Sequence, residues 1–528
     1  MTIETIHEQI TEFSGWSNDR LEECLIPPRG SLAERVSLLV GNFFCAGLFF
    51  IPLSVFAAAL HGVSSLLYRI SGKVKEEHPL LSFAKNPVWN EPTQNTPAPS
   101  IPIGFATADF HDTGPLKHPN TRFGKHYLEK RQENFDPNAH FPDMWQHPER
   151  WISRLTSLNC KIFRFSIPRD LLEPIEGQFD EEALKHLQKI CLLFNQNGIE
   201  MMVTLDHFNH PLYQNLDTEE GINSFTNYAV KVSKLLYAEG VRKIMTFNEI
   251  GVEPFEGHIH GDHPPCHKWD FEGAAKTLEN ILKAHTKTYH ALKAIHPDLA
   301  IGLSHDPIRF RHYNKWLPVL SHVERMVCRY LTKANHEMVM SCLKNGHAHV
   351  KVPFCANYEI RLSEKPPLDF IGLQYYTDPL LNFLKAIPDE KNASVTRNED
   401  EGVSSYRFRL YAQGLASAIL ELSKLNIPIH LSEIGIDTGV DKDGTDLTRM
   451  RYFGKIFQVV QKAIDLNMDI RSLYLWTLID NFDWSHGWEP IRFGFYHYNP
   501  KTDQINPRPI VNWLKNTLTE KNVLSNKN

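Results

Sequence analysis

The sequence predicts an α/β fold: a (β/α)8, or TIM, barrel behind an N-terminal hydrophobic, membrane-associated segment. Three observations lead there. Eight short apolar runs alternate with amphipathic stretches over about 430 residues, the rhythm of strand–helix units closing into a barrel. Nearly every run ends in polar or ionisable residues, among them Arg164, Asp206-His207, Asn248-Glu249, His305, Gln374 and Glu433. In such barrels the carboxyl ends of the strands build one site. Finally, no Asp, Glu, Lys or Arg occurs among the 33 residues from Val36 to Tyr68.

The elements follow in chain order. Residues 1–35 are a mostly polar segment, and 36–70 form the hydrophobic one. About 20 apolar residues span a bilayer, so 36–68 is long enough for membrane attachment. Pro52 at its middle leaves a kinked span and a same-side hairpin both open, and a helical hairpin packed on the soluble domain is the non-membrane alternative. A cleaved secretory signal is not expected, since no short basic region precedes the run. Arginines and lysines flank both ends, so orientation stays open; the barrel is expected on the cytoplasmic side of a membrane. Residues 71–100 read as a linker, with four prolines between 86 and 100. The barrel is expected over 101–518, and 519–528 as a tail. Strands are expected at Ile101–Thr107, Cys160–Ser166, Glu200–Asp206, Lys243–Asn248, Ala300–His305, Asp369–Gln374, Ile427–Glu433 and Arg471–Thr477. Helices are expected at Glu181–Asn195, Phe225–Glu239, Ala274–Ile295, Ala412–Lys424 and Arg449–Leu466, with Gly198 and Gly240 stopping two of them.

Glu249 and Glu433 each stand where an apolar run stops. A carboxylate at the end of a buried strand is costly without a partner or a chemical role. Two of them suit an acid/base and a nucleophile, the pair that cleaves a glycosidic bond with retention; structural hydrogen bonding is the competing reading.

Six segments then match a known pattern in order: Phe105-Ala106-Thr107-Ala108-Asp109-Phe110-His111, Phe163-Arg164-Phe165-Ser166-Ile167, Thr204-Leu205-Asp206-His207-Phe208-Asn209-His210-Pro211, Thr246-Phe247-Asn248-Glu249, Phe370-Ile371-Gly372-Leu373-Gln374-Tyr375-Tyr376-Thr377 and Trp476-Thr477-Leu478-Ile479-Asp480-Asn481-Phe482-Asp483-Trp484. With them the chain resembles glycoside hydrolase family 1, the β-glucosidase family. That resemblance implies Glu249 as acid/base and Glu433 as nucleophile, forming a covalent glycosyl-enzyme. It implies Arg164 and Tyr376 on the Glu433 carboxylate, and Asn248 on the sugar 2-hydroxyl. His207 would bond a sugar hydroxyl and Trp476 would lie under the ring. His111, Asp483 and Trp484 fall at positions that contact the outer hydroxyls.

The pattern also has departures. His111 stands for glutamine and Asp483 for glutamate; Phe208, Asn209, Ile250 and Ile434 replace other family residues. The pair and the 2-hydroxyl contact survive while the specificity shell is rewritten, so retaining chemistry on a β-glycoside other than plain glucose is expected. A membrane segment ahead of such a barrel, the altered first motif and Gly302-Leu303-Ser304-His305 resemble the plant Sensitive-to-Freezing branch, whose members move galactose between galactolipids. That likeness implies a lipid-linked substrate and transfer instead of hydrolysis.

A net charge of −6 without a strongly basic region argues against nucleic-acid binding. The eight cysteines include no CxxC pair, which suits thiols in a reducing compartment. His258, His260, His263, Cys266 and His267 crowd one loop at spacings zinc could use; an entrance loop is the preferred reading, and neither metal nor cofactor is expected. A non-catalytic barrel that binds carbohydrate or glycolipid is the alternative function, and a structural membrane protein with a relic barrel a third.

Overall fold

The computed structural model describes residues 77–85, 97–130, 135–313, 318–352, 356–381, 408, 410–441, 443–488 and 492–525. The expected membrane segment, 36–70, lies outside the described residues; among those described, no helix is long and apolar enough to cross a membrane.

Eight parallel strands close a barrel: β1 (Ile103–Thr107), β2 (Ile162–Ser166), β3 (Glu200–Asp206), β4 (Lys243–Phe247), β5 (Ala300–His305), β6 (Phe370–Tyr375), β7 (Ile429–Gly435) and β8 (Ile470–Trp476), with β8 pairing back onto β1. All eight expected strands exist, with boundaries moved by up to two residues. Their residues are almost all buried, because helices cover the outside and side chains fill the inside. The outer helices start where a side chain can satisfy free backbone donors. Asp180 accepts from the amides of Glu182 and Ala183 at the start of Glu181–Gln196, and Thr218 accepts from Gly221 at the start of Glu219–Ala238. Gly198 and Gly240, just past the ends of these two helices, take φ of 64° and 86°, where glycine is the unstrained residue.

Three features lie beyond the sequence reading. The expected linker contains a helix, Pro79–Lys85, whose Leu80 and Ala84 are buried in the main core. Between β5 and β6 sit helices Pro318–Thr332 and Met338–Asn345 and an antiparallel hairpin, His347–Val352 with Ala356–Arg361. The hairpin's alternation was readable, since Ala348, Val350 and Val352 point inward and their neighbours outward. The last helix runs Pro509–Ser525, past the boundary expected at 518. All five described cysteines, Cys160, Cys191, Cys266, Cys328 and Cys342, are free thiols.

Register at the strand ends sets the site. β7 is irregular between Leu431 and Glu433, so Glu433 pairs with Gln374 of β6. Such bulges re-aim a side chain. Ser166 aligns with Thr204 across β2 and β3, and Ala106 with Trp476 across β1 and β8.

Candidate active site

Arg164, from β2, is fully buried and spends its donors at the barrel mouth. Its guanidinium donates to Glu433 Oε1, to Asn248 Oδ1 (2.5 Å) and to Thr204 Oγ1 (3.2 Å). Gln374 donates to Glu433 Oε1 (2.6 Å) and Asn248 Oδ1 (2.8 Å); Tyr376 Oη donates to Glu433 Oε2 (2.6 Å). Glu433 therefore accepts from three side chains, which hold one carboxylate orientation. Asn248 Oδ1 also accepts from Ser304 Oγ (3.0 Å), which fixes the amide; its Nδ2 is buried without a partner.

Glu249 follows Asn248 at the end of β4. Its φ of 40° is unusual for a residue with a side chain. The amide of Glu249 donates to Ser304 Oγ (3.0 Å), and that of Ile250 to Ser304 O (3.0 Å). Burial raises the Glu249 carboxyl well above its ordinary value, and the nearby Glu433 and Asp306 carboxylates push the same way. Burial also raises Glu433, but Arg164 and the Tyr376 hydroxyl oppose that rise. The two environments separate a proton-holding carboxyl from one that ionises first, the division an acid and a nucleophile require.

Both carboxyls line one cavity of about 250 Å³. Tyr376, His111, His207, Trp476, Asp483 and Trp484 line it too, so eight of the ten sequence-expected site residues share its wall. Arg164 and Asn248 are not among its lining residues: Arg164 bonds Glu433 directly, and Asn248 is joined to Glu433 through Arg164 and Gln374, which bond both. His111 sits in the short helix Asp109–Thr113 past β1, with its ring 4.5 Å from Trp484 and 5.4 Å from Trp476. Burial lowers its imidazole to about 4 against the pull of Asp483 and of the Asn481 side chain. Burial and Arg164 hold His207 well below the ordinary value as well. Both are neutral imidazoles able to donate one bond and accept another. Trp484 stacks on Phe110 at 5.0 Å and 3°, which fixes the wall.

Asp483 faces its own turn. Its Oδ1 accepts from the amides of Ser485 and His486, both at 2.9 Å, and lies 3.2 Å from His486 Nδ1. Ile250 and Ile434 are fully buried, so these apolar replacements leave no polar group stranded.

A second chamber of about 480 Å³ adjoins the first, and Glu256, His260, Asp306, Ile308, Tyr376 and Phe408 line both. Phe255, Ile259, Phe310, Leu331 and Pro379 make much of its remaining wall apolar, with Trp269, 62% exposed, among its lining residues. Sequence reasoning missed this chamber, Asp306 and the role of Gln374. Gln374 was visible as a polar strand end; the chamber is built from segments far apart in the chain.

The crowded histidine loop does not converge on one point. His260 pairs with Glu256 (2.6 Å), His263 packs edge-on to Phe123 (5.0 Å), and Cys266 Sγ lies 3.8 Å from His126. Only His258 and His267 approach a common group, the carboxylate of Asp270, which also caps the helix Phe271–Ile295.

The model of glycosyl hydrolase family 1 matches residues 123–523. A 6-phospho-β-galactosidase of Clostridium acetobutylicum is 24% identical over 396 residues, covering 66% of this chain and 81% of that protein. β-Glucosidase A of Thermotoga maritima is also 24% identical, over 70% of this chain and 86% of its own length. Among solved structures, a β-glycosidase from Pyrococcus horikoshii superposes with a TM-score of 0.66 at 24% identity, over 81% of this chain and 96% of that one.

Proposed function

The chain belongs to glycosyl hydrolase family 1 and is a β-glycosidase; from that premise we propose that it works with retention, through a covalent glycosyl-enzyme on Glu433. One observation carries the reading: Glu433 is gripped by Arg164, Gln374 and Tyr376, while among the described residues no lysine or arginine lines the cavity at Glu249. Glu249 gives its proton to the departing oxygen as Glu433 attacks the anomeric carbon. Glu249, now a carboxylate, takes a proton from water or from an acceptor hydroxyl, which displaces Glu433. The free Nδ2 of Asn248 suits the sugar 2-hydroxyl, and neutral His207 and His111 suit the outer hydroxyls.

The sugar is unphosphorylated. Among the described residues, no lysine or arginine lines the sugar cavity, whereas Glu249, Glu256, Asp262, Asp306, Glu433 and Asp483 do. A phosphate would meet carboxylates without a compensating cation. The aglycone is apolar, because the adjoining chamber offers chiefly aromatic and aliphatic walls. A glycolipid meets that description, and the uncharged run 36–68 would keep the enzyme at the membrane carrying it. Transfer to a second glycolipid then requires only that its hydroxyl outcompete water at the intermediate.

The deciding experiment uses a 2-deoxy-2-fluoro β-glycoside with a good leaving group, followed by peptide mapping. The expected result is a sugar adduct on Glu433. Turnover of ordinary substrates giving first-formed α-anomer by NMR, with no adduct, would replace retention by inversion. Incubation with a β-galactosyl diacylglycerol separates the two fates: oligogalactosyl lipid marks transfer and free galactose marks hydrolysis.

A further inference from the structure

We propose that Asp306 binds the aglycone, its unpartnered carboxyl oxygen taking a hydroxyl one or two atoms beyond the scissile oxygen, where the sugar cavity opens into the apolar chamber. The proposal rests on the glycosidase reading above and adds a group that the proposed chemistry leaves unused.

Asp306 follows β5 directly and is 5% exposed. It lines both cavities, and its Oδ1 is buried with no hydrogen-bond partner. Its backbone carbonyl accepts from Ile308 (2.9 Å), which ties down the turn that presents it. Buried polar atoms are normally satisfied, so an orphan at the neck of a cavity points to a group brought by a ligand.

Its surroundings fix what it can offer. The carboxyls of Asp378, Glu433, Glu249 and Glu256 face it, with the phenols of Tyr376 and Tyr452. The cationic groups are Arg309, with His260 and Lys268 among the lining residues of the chamber. Arg309 is engaged elsewhere, donating to Gly414 O (2.9 Å) and Asp378 (3.3 Å). Burial, Asp378 and Glu433 hold the Asp306 carboxyl well above the usual range. It therefore holds its proton more tightly than an ordinary carboxyl, and in that form it can donate one bond and accept another. Glu256, His260 and Tyr376 stand at the same neck, and Asp306 adds to them a carboxyl oxygen with no partner of its own; with the apolar walls beyond, this selects an aglycone polar in its first atoms and apolar beyond them.

The experiment compares ethyl with 2-hydroxyethyl β-glycosides, as glucosides and as galactosides, on the full chain and on Asp306→Ala and Asp306→Asn. The pairs differ by one hydroxyl. The wild type should prefer the hydroxyethyl member. Asp306→Ala should lose about 10-fold in kcat/KM on that member and about 2-fold or less on the ethyl one, the size of one neutral hydrogen bond. Asp306→Asn, which keeps a donor and an acceptor, should retain most of the preference. Equal losses on both members, or a wild type indifferent to the hydroxyl, would overturn the proposal. Calorimetric Kd values for the same pair are measured alongside. Discrimination in Kd with no turnover would count against the glycosidase reading and leave Asp306 in its role; no discrimination in either would remove that role.

Discussion

At the scale of single residues, Asp483 shows how one methylene redirects a side chain. Its carboxylate caps the turn through Ser485 and His486 and leaves part of the sugar cavity to neutral groups. Asp483→Glu should give up those turn bonds, costing about 1 kcal/mol, and extend a carboxylate toward the sugar. Thermal unfolding should drop by a few degrees, and the ratio of kcat/KM for β-glucosides over β-galactosides should change several-fold; an unchanged ratio would mean that Asp483 never approaches the sugar. Glu433→Ala should lose at least about 10⁴-fold in turnover, the scale of losing a nucleophile. Azide filling the vacated space should then restore activity and yield the α-glycosyl azide, readable by NMR. The sequence exposed these departures because motif positions are local. It could not expose the destination of the Asp483 carboxylate, nor bring Asp306 to Glu249, because both depend on where loops from different strands meet.

At the scale of elements, the barrel strands were legible because burial on both faces makes each a short apolar run with a polar end. Segments that insert between units were not, because they follow no barrel rhythm; the hairpin His347–Val352 and Ala356–Arg361 is one such insertion. The helix Pro79–Lys85 was hidden among prolines and small polar residues, yet Leu80 is fully buried in the main core. Leu80→Ala should cost about 2–3 kcal/mol, as for other large-to-small changes in cores, and lower the thermal midpoint. A midpoint unmoved by this substitution would show that the helix contributes nothing to the barrel. Gly104 tests the barrel floor more severely. A methyl group there would lie 1.9 Å from the carbonyl oxygen of Ile162 on the neighbouring strand. Gly104→Ala forces β1 and β2 apart and should abolish soluble expression or unfold the protein at far lower denaturant.

At the scale of the whole molecule, buried ionisable groups link folding and activity to pH. The activity profile should be a bell. Its acid limb follows ionisation of Glu433 and its basic limb follows loss of the Glu249 proton. Both carboxyls are raised above 4.5 by burial, so both limbs should lie above that pH. Glu249→Gln, assayed on an aryl glycoside whose leaving group needs no acid, should keep the acid limb and lose the basic one. Stability has a separate control in His210, clamped between Asp206 (2.8 Å) and Glu253 (2.5 Å) under the barrel mouth. Burial opposes its charge, but the two carboxylates win and raise the imidazole from 6.5 to about 9. The folded protein thus binds a proton that the unfolded chain releases between those values. The resulting stabilisation, on the order of 3 kcal/mol as an upper bound, is fully present below pH 6.5 and is lost as pH rises through about 9. The thermal midpoint should therefore fall across this window in the wild type. In His210→Gln the fall should flatten, because a neutral amide carries no proton to lose, and the variant should be the less stable protein at pH 6. An equally steep fall in the variant would assign the alkaline loss to other groups.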